Sequence, residues 1–184
     1  MDDEYKTIAA RTRSETKVRG SRFIANVLPV STTADTERFL AEIRKEFWDA
    51  THNCFAYKLG ADGRRFRFND DGEPGGSAGK PILSTIEKRG LTDVLVIVTR
   101  YFGGTKLGVG GLVRAYGDAA EAALAKAGIV TKYILQTVEA TFPHSHISNV
   151  MHVVSKMDAR IVETVYDEDV HLTLAIRRSK EEEL

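Results

Sequence analysis

The sequence predicts an α+β protein in two parts, one over residues 1–130 and a smaller one over residues 131–184. Three observations predict it. Short strand-like stretches, alternating or wholly apolar, are interleaved with helical patterns. Two glycine-rich loops each open into a helix. Beyond Gly128 the pattern restarts as strand, helix, strand, strand, the first part of a ferredoxin-like βαββαβ unit.

Tyr5 to Thr12 and Arg22 to Val30 read as extended. Between them "RTRSETKVRGSR" reads as a basic, hairpin-like stretch punctuated by Gly20. Residues 5–22 carry Lys6, Arg11, Arg13, Lys17, Arg19 and Arg22 against the single acid Glu15; such a run is ordinarily a solvated surface. A helix over Thr33–Phe47 follows, capped by Thr32 or Thr33, with Asp35 and Glu37 in its first turn. Its apolar stripe is Phe39, Leu40, Ile43 and Phe47.

"HNCFAYKL" is a strand with Phe55, Tyr57 and Leu59 on one face and Cys54, Ala56 and Lys58 on the other. "GADGR" turns the chain into "RRFRFN", where Phe66 and Phe68 alternate with Arg65 and Arg67. "PILSTIEKRG" is a short helix with Pro81 first and Gly90 beyond its end. Asp93 to Thr99, "DVLVIVT", is a central strand buried on both faces. "LVRAYGDAAEAALAKAG" is a helix whose small face, Leu112, Ala115, Ala119, Ala122 and Ala123, suits close packing on a sheet. In the second part come the strand "ILQTVEATF", the helix "SHISNVMHVVSKM" and the strands "ARIVETVY" and "DVHLTLAI". "SKEE", Ser179–Glu182, is a capping-box signature for a further helix. The expectation is that this chain lacks the last helix and strand of a ferredoxin-like unit.

Lys plus Arg number 26 and Asp plus Glu 26, for a net charge of zero. That argues against a nucleic-acid grip by the whole molecule and leaves only a local patch. One cysteine allows no internal disulfide and points to a reducing compartment. The opening residues have no apolar core of signal-peptide length, and no run reaches a membrane span. The expectation is a cytoplasmic protein, monomeric, with no membrane partner and no cofactor.

"NDDGEPGGSAGKPIL" (69–83) ends in Gly79-Lys80 but is not a Walker loop. Pro74 stands where the motif needs its first glycine, and Pro81 where it needs Ser or Thr. "RYFGGTKLGVGG" (100–111) fails the dinucleotide pattern because Val113 occupies the third glycine position. A glycine loop opening into a helix still turns backbone N–H groups outward, which attract anions. Lys80 adds charge to the first loop; Arg100, Lys106 and Arg114 add it to the second, around Gly104 and Gly108. Beside this stands a purely structural role for the glycines. Asp70, Asp71 and Glu73 are close enough to ligate a hard cation, yet Asp-Asp-Gly is also ordinary turn chemistry. A third reading is an internal lock in which these carboxylates pair with Arg100 or Lys106. His52 and Cys54, on one strand face, make a thiol–base dyad conceivable. His144 and His146 read as helix-entry residues rather than metal ligands.

"SRFIA" (21–25), "HNCFAY" (52–57), "NDDGEPGGSAGKPIL" and "VTRYFGGTKLGVGGLVRAY" (98–116) resemble the IMPACT/YigZ-type family in order and spacing, over about residues 20–120. The resemblance implies a first domain similar to the second domain of a small-subunit ribosomal protein and to domain four of translational elongation factor G, an α/β sandwich. It implies a ferredoxin-like second domain. It also implies a context in translation and stress response, since eukaryotic relatives restrain the kinase that phosphorylates an initiation factor. Those relatives carry an extra N-terminal domain for partner binding.

Two functions are therefore expected as alternatives. One is a non-catalytic binding protein for the ribosome, RNA or a translation-associated protein, using His52, Asp70, Asp71, Glu73, Gly79, Lys80, Arg100, Gly104, Lys106, Gly108 and Arg114. The other is an enzyme acting on a phosphorylated small molecule or nucleotide at the same loops. The first is preferred.

Overall fold

Strand-forming residues that must hide both faces need cover on both sides, and this requirement organises the larger part of the chain. The computed structural model describes residues 3–183, and side chains through Lys180. It separates into a unit from Tyr5 to Thr131 and a second unit from Lys132 onward that includes residues 3 and 4.

The elements run β1 (Glu4–Ile8), β2 (Thr12–Val18), β3 (Ser21–Pro29), α1 (Thr33–Glu46), β4 (His52–Leu59), β5 (Arg65–Asn69), α2 (Gly79–Lys88), β6 (Val94–Tyr101) and α3 (Gly108–Ala127). They continue with β7 (Ile129–Tyr133), β8 (Leu135–Phe142), a 3-10 turn at His144–His146, α4 (Ile147–Lys156), β9 (Arg160–Tyr166), β10 (Val170–Arg177) and a 3-10 segment at Arg178–Glu183.

In the larger unit the sheet order is β2-β3-β6-β4-β5, and every pairing is antiparallel. β6 lies in the middle, and its continuous apolar run is explained by burial on both faces. Val94, Val96 and Val98 join Phe23, Val27, Cys54, Ala56 and residues of α2 and α3 in one cluster. Leu95 and Ile97 join Leu28, Phe55, Tyr57, Leu59 and the α1 residues Leu40 and Ile43 in the other. Each fully buried aliphatic side chain here contributes about 1.5–3 kcal/mol of transfer free energy. Thr32 caps α1 by accepting from the Asp35 N–H at 3.1 Å. In α3 the buried residues include Ala115, Ala119, Ala120, Ala123 and Ala127, but also the large Tyr116; Ala122 is only half-buried.

Several elements differ from the sequence reading. The basic stretch is largely strand β2, joined to β3 by a two-residue turn at Arg19 (φ 45°) and Gly20 (φ 83°), the double positive φ of a tight hairpin. An edge strand accepts charge because its outer side faces water, and Glu46 and Glu15 pair with Arg13 and Arg22. β7 lies outside the strands the sequence predicts and pairs with β1 in a two-stranded sheet. α2 begins at Gly79, so Pro81 is its third residue rather than its first, and α3 begins at Gly108 rather than Leu112. The expected helix at "SKEE" is a 3-10 segment.

In the smaller unit β10 sits between β8 and β9, antiparallel to both. Its alternation is strict: Val170, Leu172, Leu174 and Ile176 are buried together with Val154 of α4. Met151 of α4 is exposed. No helix of the described residues is long and apolar enough to cross a membrane.

Candidate functional site

The first glycine loop is organised by its own acid. Asp70 accepts hydrogen bonds from the backbone N–H of Gly76 (2.9 Å), Ala78 (3.0 Å) and Gly79 (2.8 Å). The donors that open α2 are thus filled by a carboxylate of the same chain, and an external anion would have to displace it. Gly79 is required by space: a Cβ there would lie 2.7 Å from the backbone nitrogen of Asn69.

Asp71 (φ 45°) is used in the same scaffold. Its carboxylate accepts the Asn53 N–H at 2.7 Å and lies 3.5 Å from Arg44. His52 Nδ1 lies 2.7 Å from the Asp71 carbonyl. A carbonyl only accepts, so Nδ1 carries the proton. The other ring nitrogen, Nε2, is 3.8 Å from Glu73 Oε1.

Glu73 is the buried centre. Its Oε1 accepts from Arg100 Nη1 at 2.6 Å and from the Tyr116 hydroxyl at 2.7 Å. Arg100 is 5% exposed and stands between the rings of Phe23 and Phe102, at 5.5 and 5.6 Å. Its Nη2 donates to Ser21 Oγ at 3.3 Å, and its Nε has no partner among the described residues. The internal lock is therefore formed between Glu73 and Arg100. Lys106 takes no part in it.

Ser21 Oγ also accepts the Gly103 N–H at 3.2 Å. This ties the second loop to the β2–β3 turn. Here contact is so close that a Cβ on Gly103 would lie 1.9 Å from the carbonyl carbon of Gly20.

Cys54 is not an activated nucleophile. Its sulfur donates to the Asp70 carbonyl at 3.0 Å and lies 3.4 Å from the Tyr116 hydroxyl. Burial is the main cause that pushes the thiol up to about 12, reinforced by the charges of Glu73, Asp71 and Asp70. His52 is bonded to Asp71, not to this thiol, so the conceivable dyad is absent. Burial likewise pushes the Tyr116 hydroxyl far above its ordinary range, leaving it a neutral donor.

The three acids of the first loop do not converge on one point: Asp70 faces backbone amides, Asp71 faces Asn53 and Arg44, and Glu73 faces Arg100. His144 donates to the Asp167 carbonyl at 3.0 Å, and His146 lies 3.3 Å from Ser145.

The two loops do meet. Glu73 and Pro74 of the first, with Arg100, Phe102, Lys106 and Gly108 of the second, line a cavity of about 350 Å³ completed by Leu107, Val109 and Leu112. α3 opens onto it. Leu107 at its N-cap makes no side-chain cap, and no acid stands in its first turn. Lys80 and Arg114 lie elsewhere, in a groove of about 630 Å³ between α2 and α3 with Lys88, Asp118 and Glu121. Gly104 (φ 86°) shapes the second loop and lines neither hollow. Sequence reasoning missed Ser21, Phe102 and Tyr116 as site residues. All three stand inside the unusual strings that carried the family resemblance, which was the available signal.

The model of the Impact N-terminal domain matches residues 19–124. IMPACT family member YvyE of Bacillus subtilis is 37% identical over 170 residues, covering 92% of this chain and 78% of the relative. IMPACT family member YigZ of Escherichia coli is 32% identical over 166 residues, covering 89% and 81%. A crystal structure described as that of a hypothetical protein aligns over all of this chain and 90% of its own, with 30% identity and a TM-score of 0.76.

Proposed function

The chain belongs to the IMPACT family, and on that premise we propose that it is a translation-associated, non-catalytic binding protein that receives an anionic group of its partner at the second glycine loop. The observation that carries this is the contrast between two helix starts. The amides opening α2 are occupied by Asp70, whereas α3 opens uncapped onto the cavity lined by Lys106 and Arg100. Arg100 is neutralised there by Glu73, so an open helix start with the cation Lys106 beside it is what favours phosphate or carboxylate. Lys80 and Arg114 add further positive charge in the separate groove between α2 and α3, which Asp118 and Glu121 also line. The partner is the ribosome, RNA or an acidic segment of a translation-associated protein; the link to translation rests on the family resemblance alone. The setting is cytoplasmic and the protein acts as a monomer without cofactor.

Co-sedimentation with ribosomes across a salt series tests this. Lys80, Lys106 and Arg114 are exposed, so a Lys80/Lys106/Arg114→Ala variant keeps the fold. The native chain should bind at low salt with a falling salt slope, and the variant should not. Absence of ribosome or RNA binding by the native chain at low salt would sink the reading.

A second reading, an enzyme for a phosphorylated small molecule, is favoured by one feature. Buried Glu73 lines the same cavity, with His52 Nε2 at 3.8 Å. A panel of nucleotides and sugar phosphates tests it by thermal shift, because a ligand at 100 times its Kd adds about 2.7 kcal/mol.

For the fold, we assign residues 1–130 to a domain like the fourth of elongation factor G and residues 131–184 to a ferredoxin-like domain. The order β8-β10-β9, with α4 between the first two strands in sequence, supports the latter.

A further inference from the structure

β5 is the outer strand of the five-stranded sheet, paired among the described residues only with β4. In an antiparallel pair every second residue of such a strand turns its N–H and C=O away from its neighbour. Proteins ordinarily blunt a free edge of this kind. Here it carries two large apolar side chains in the open, Phe66 at 53% and Phe68 at 39% exposure.

The register sorts its side chains. Phe66 lies opposite Lys58 and Phe68 opposite Ala56, on the face covered by α2 and α3. Arg65 lies opposite Leu59 and Arg67 opposite Tyr57, on the α1 face. Both arginines are exposed, and neither has a hydrogen bond or ion pair among the described residues. The edge thus offers backbone donors and acceptors, an apolar stripe on one face and two uncompensated positive charges on the other.

We propose that β5 is a docking edge for an extended segment of a partner protein in which acidic and apolar residues alternate. Such a segment, added as a sixth strand, would place its apolar residues beside Phe66 and Phe68 and its acids beside Arg65 and Arg67, because side chains of neighbouring strands share faces. Strand length limits the contact to about 17 Å. Two other occupants fit less well. A second copy of this chain would set arginine against arginine across the new pair, which is repulsive. A single nucleic-acid strand needs stacking and phosphate neutralisation on one surface, and here rings and arginines are on opposite faces. This edge is separate from the cavity at α3.

The test is fluorescence anisotropy of labelled peptides with the full chain. One peptide repeats Glu-Val; its isomer has the same residues in two blocks; a third repeats Lys-Val. The expected result is saturable binding of the alternating acidic peptide, about tenfold tighter than its isomer, two exposed ion pairs and the apolar stripe acting together. Arg65→Glu/Arg67→Glu, at exposed unpaired positions, should lose the acidic peptide and gain the Lys-Val one. The Lys80/Lys106/Arg114→Ala variant should bind as the native chain does, which separates this edge from the anion site. Equal binding of the two acidic isomers, absence of saturation, indifference to the charge swap, or a single-stranded oligonucleotide bound in place of the peptide would overturn the proposal.

Discussion

Arg100 Nη1 lies 2.6 Å from Glu73 Oε1, with the two side chains only 6% and 3% exposed. The pair joins the end of β6 to the loop between β5 and α2, so both glycine loops depend on it. Two buried charges of opposite sign hold each other only while both are present; removing one leaves the other unsolvated. Glu73→Gln and Arg100→Met should each lower stability by about 3–5 kcal/mol in urea unfolding. The double variant should recover a large part of that loss. If the two single losses simply add, the pair is not coupled.

Asp70→Asn should loosen the start of α2. An amide keeps one acceptor oxygen where the carboxylate offers two to the N–H groups of Gly76, Ala78 and Gly79. The expected cost is about 1–3 kcal/mol, with faster amide exchange at Ala78 and Gly79. Unchanged exchange there would contradict the capping role.

Cys54 links stability to alkaline pH. The unfolded thiol ionises near its ordinary value of 9.0, while the folded one is held neutral up to about 12. Between those values the unfolded state binds fewer protons, so stability falls as pH rises. Cys54→Ala should flatten that decline relative to the native chain. Iodoacetamide at pH 8 should label the thiol slowly in the native state and readily in urea; rapid native labelling would show an accessible, activated thiol.

Gly103→Ala should be severely destabilising, above about 3 kcal/mol, because its Cβ would meet the Gly20 backbone at 1.9 Å and backbone cannot move aside cheaply. Gly110→Ala, with open space around its Cβ and inside α3, should instead stabilise by about 0.4–1 kcal/mol. Thermal melts of the two variants should therefore shift in opposite directions.

Several features were legible from residue order alone. α1 declared itself through Thr32 and its apolar stripe, and β6 through six consecutive uncharged residues between Asp93 and Arg100. β2 was obscured because its charges mask a strand pattern that an edge position tolerates, and β7 because Ile129–Tyr133 is mostly exposed and shows no alternation. The loops are visible in the sequence as glycine-rich, and residue types alone allow Glu73 to pair with Arg100 without requiring it.

Local sequence determined most of the elements and the chemistry available at the loops, because capping, turns and periodicity act over a few residues. Tertiary structure decided which charges are spent and which are free. Asp70 fills the start of α2, Glu73 takes Arg100, and Tyr116, buried with the alanines of α3, donates to that same carboxylate. Lys106 is left at an uncapped helix start and Arg65 and Arg67 at an open edge. The contacts of Glu73 join residues 27 and 43 positions apart, where burial makes an unpaired charge so costly that a partner must be found.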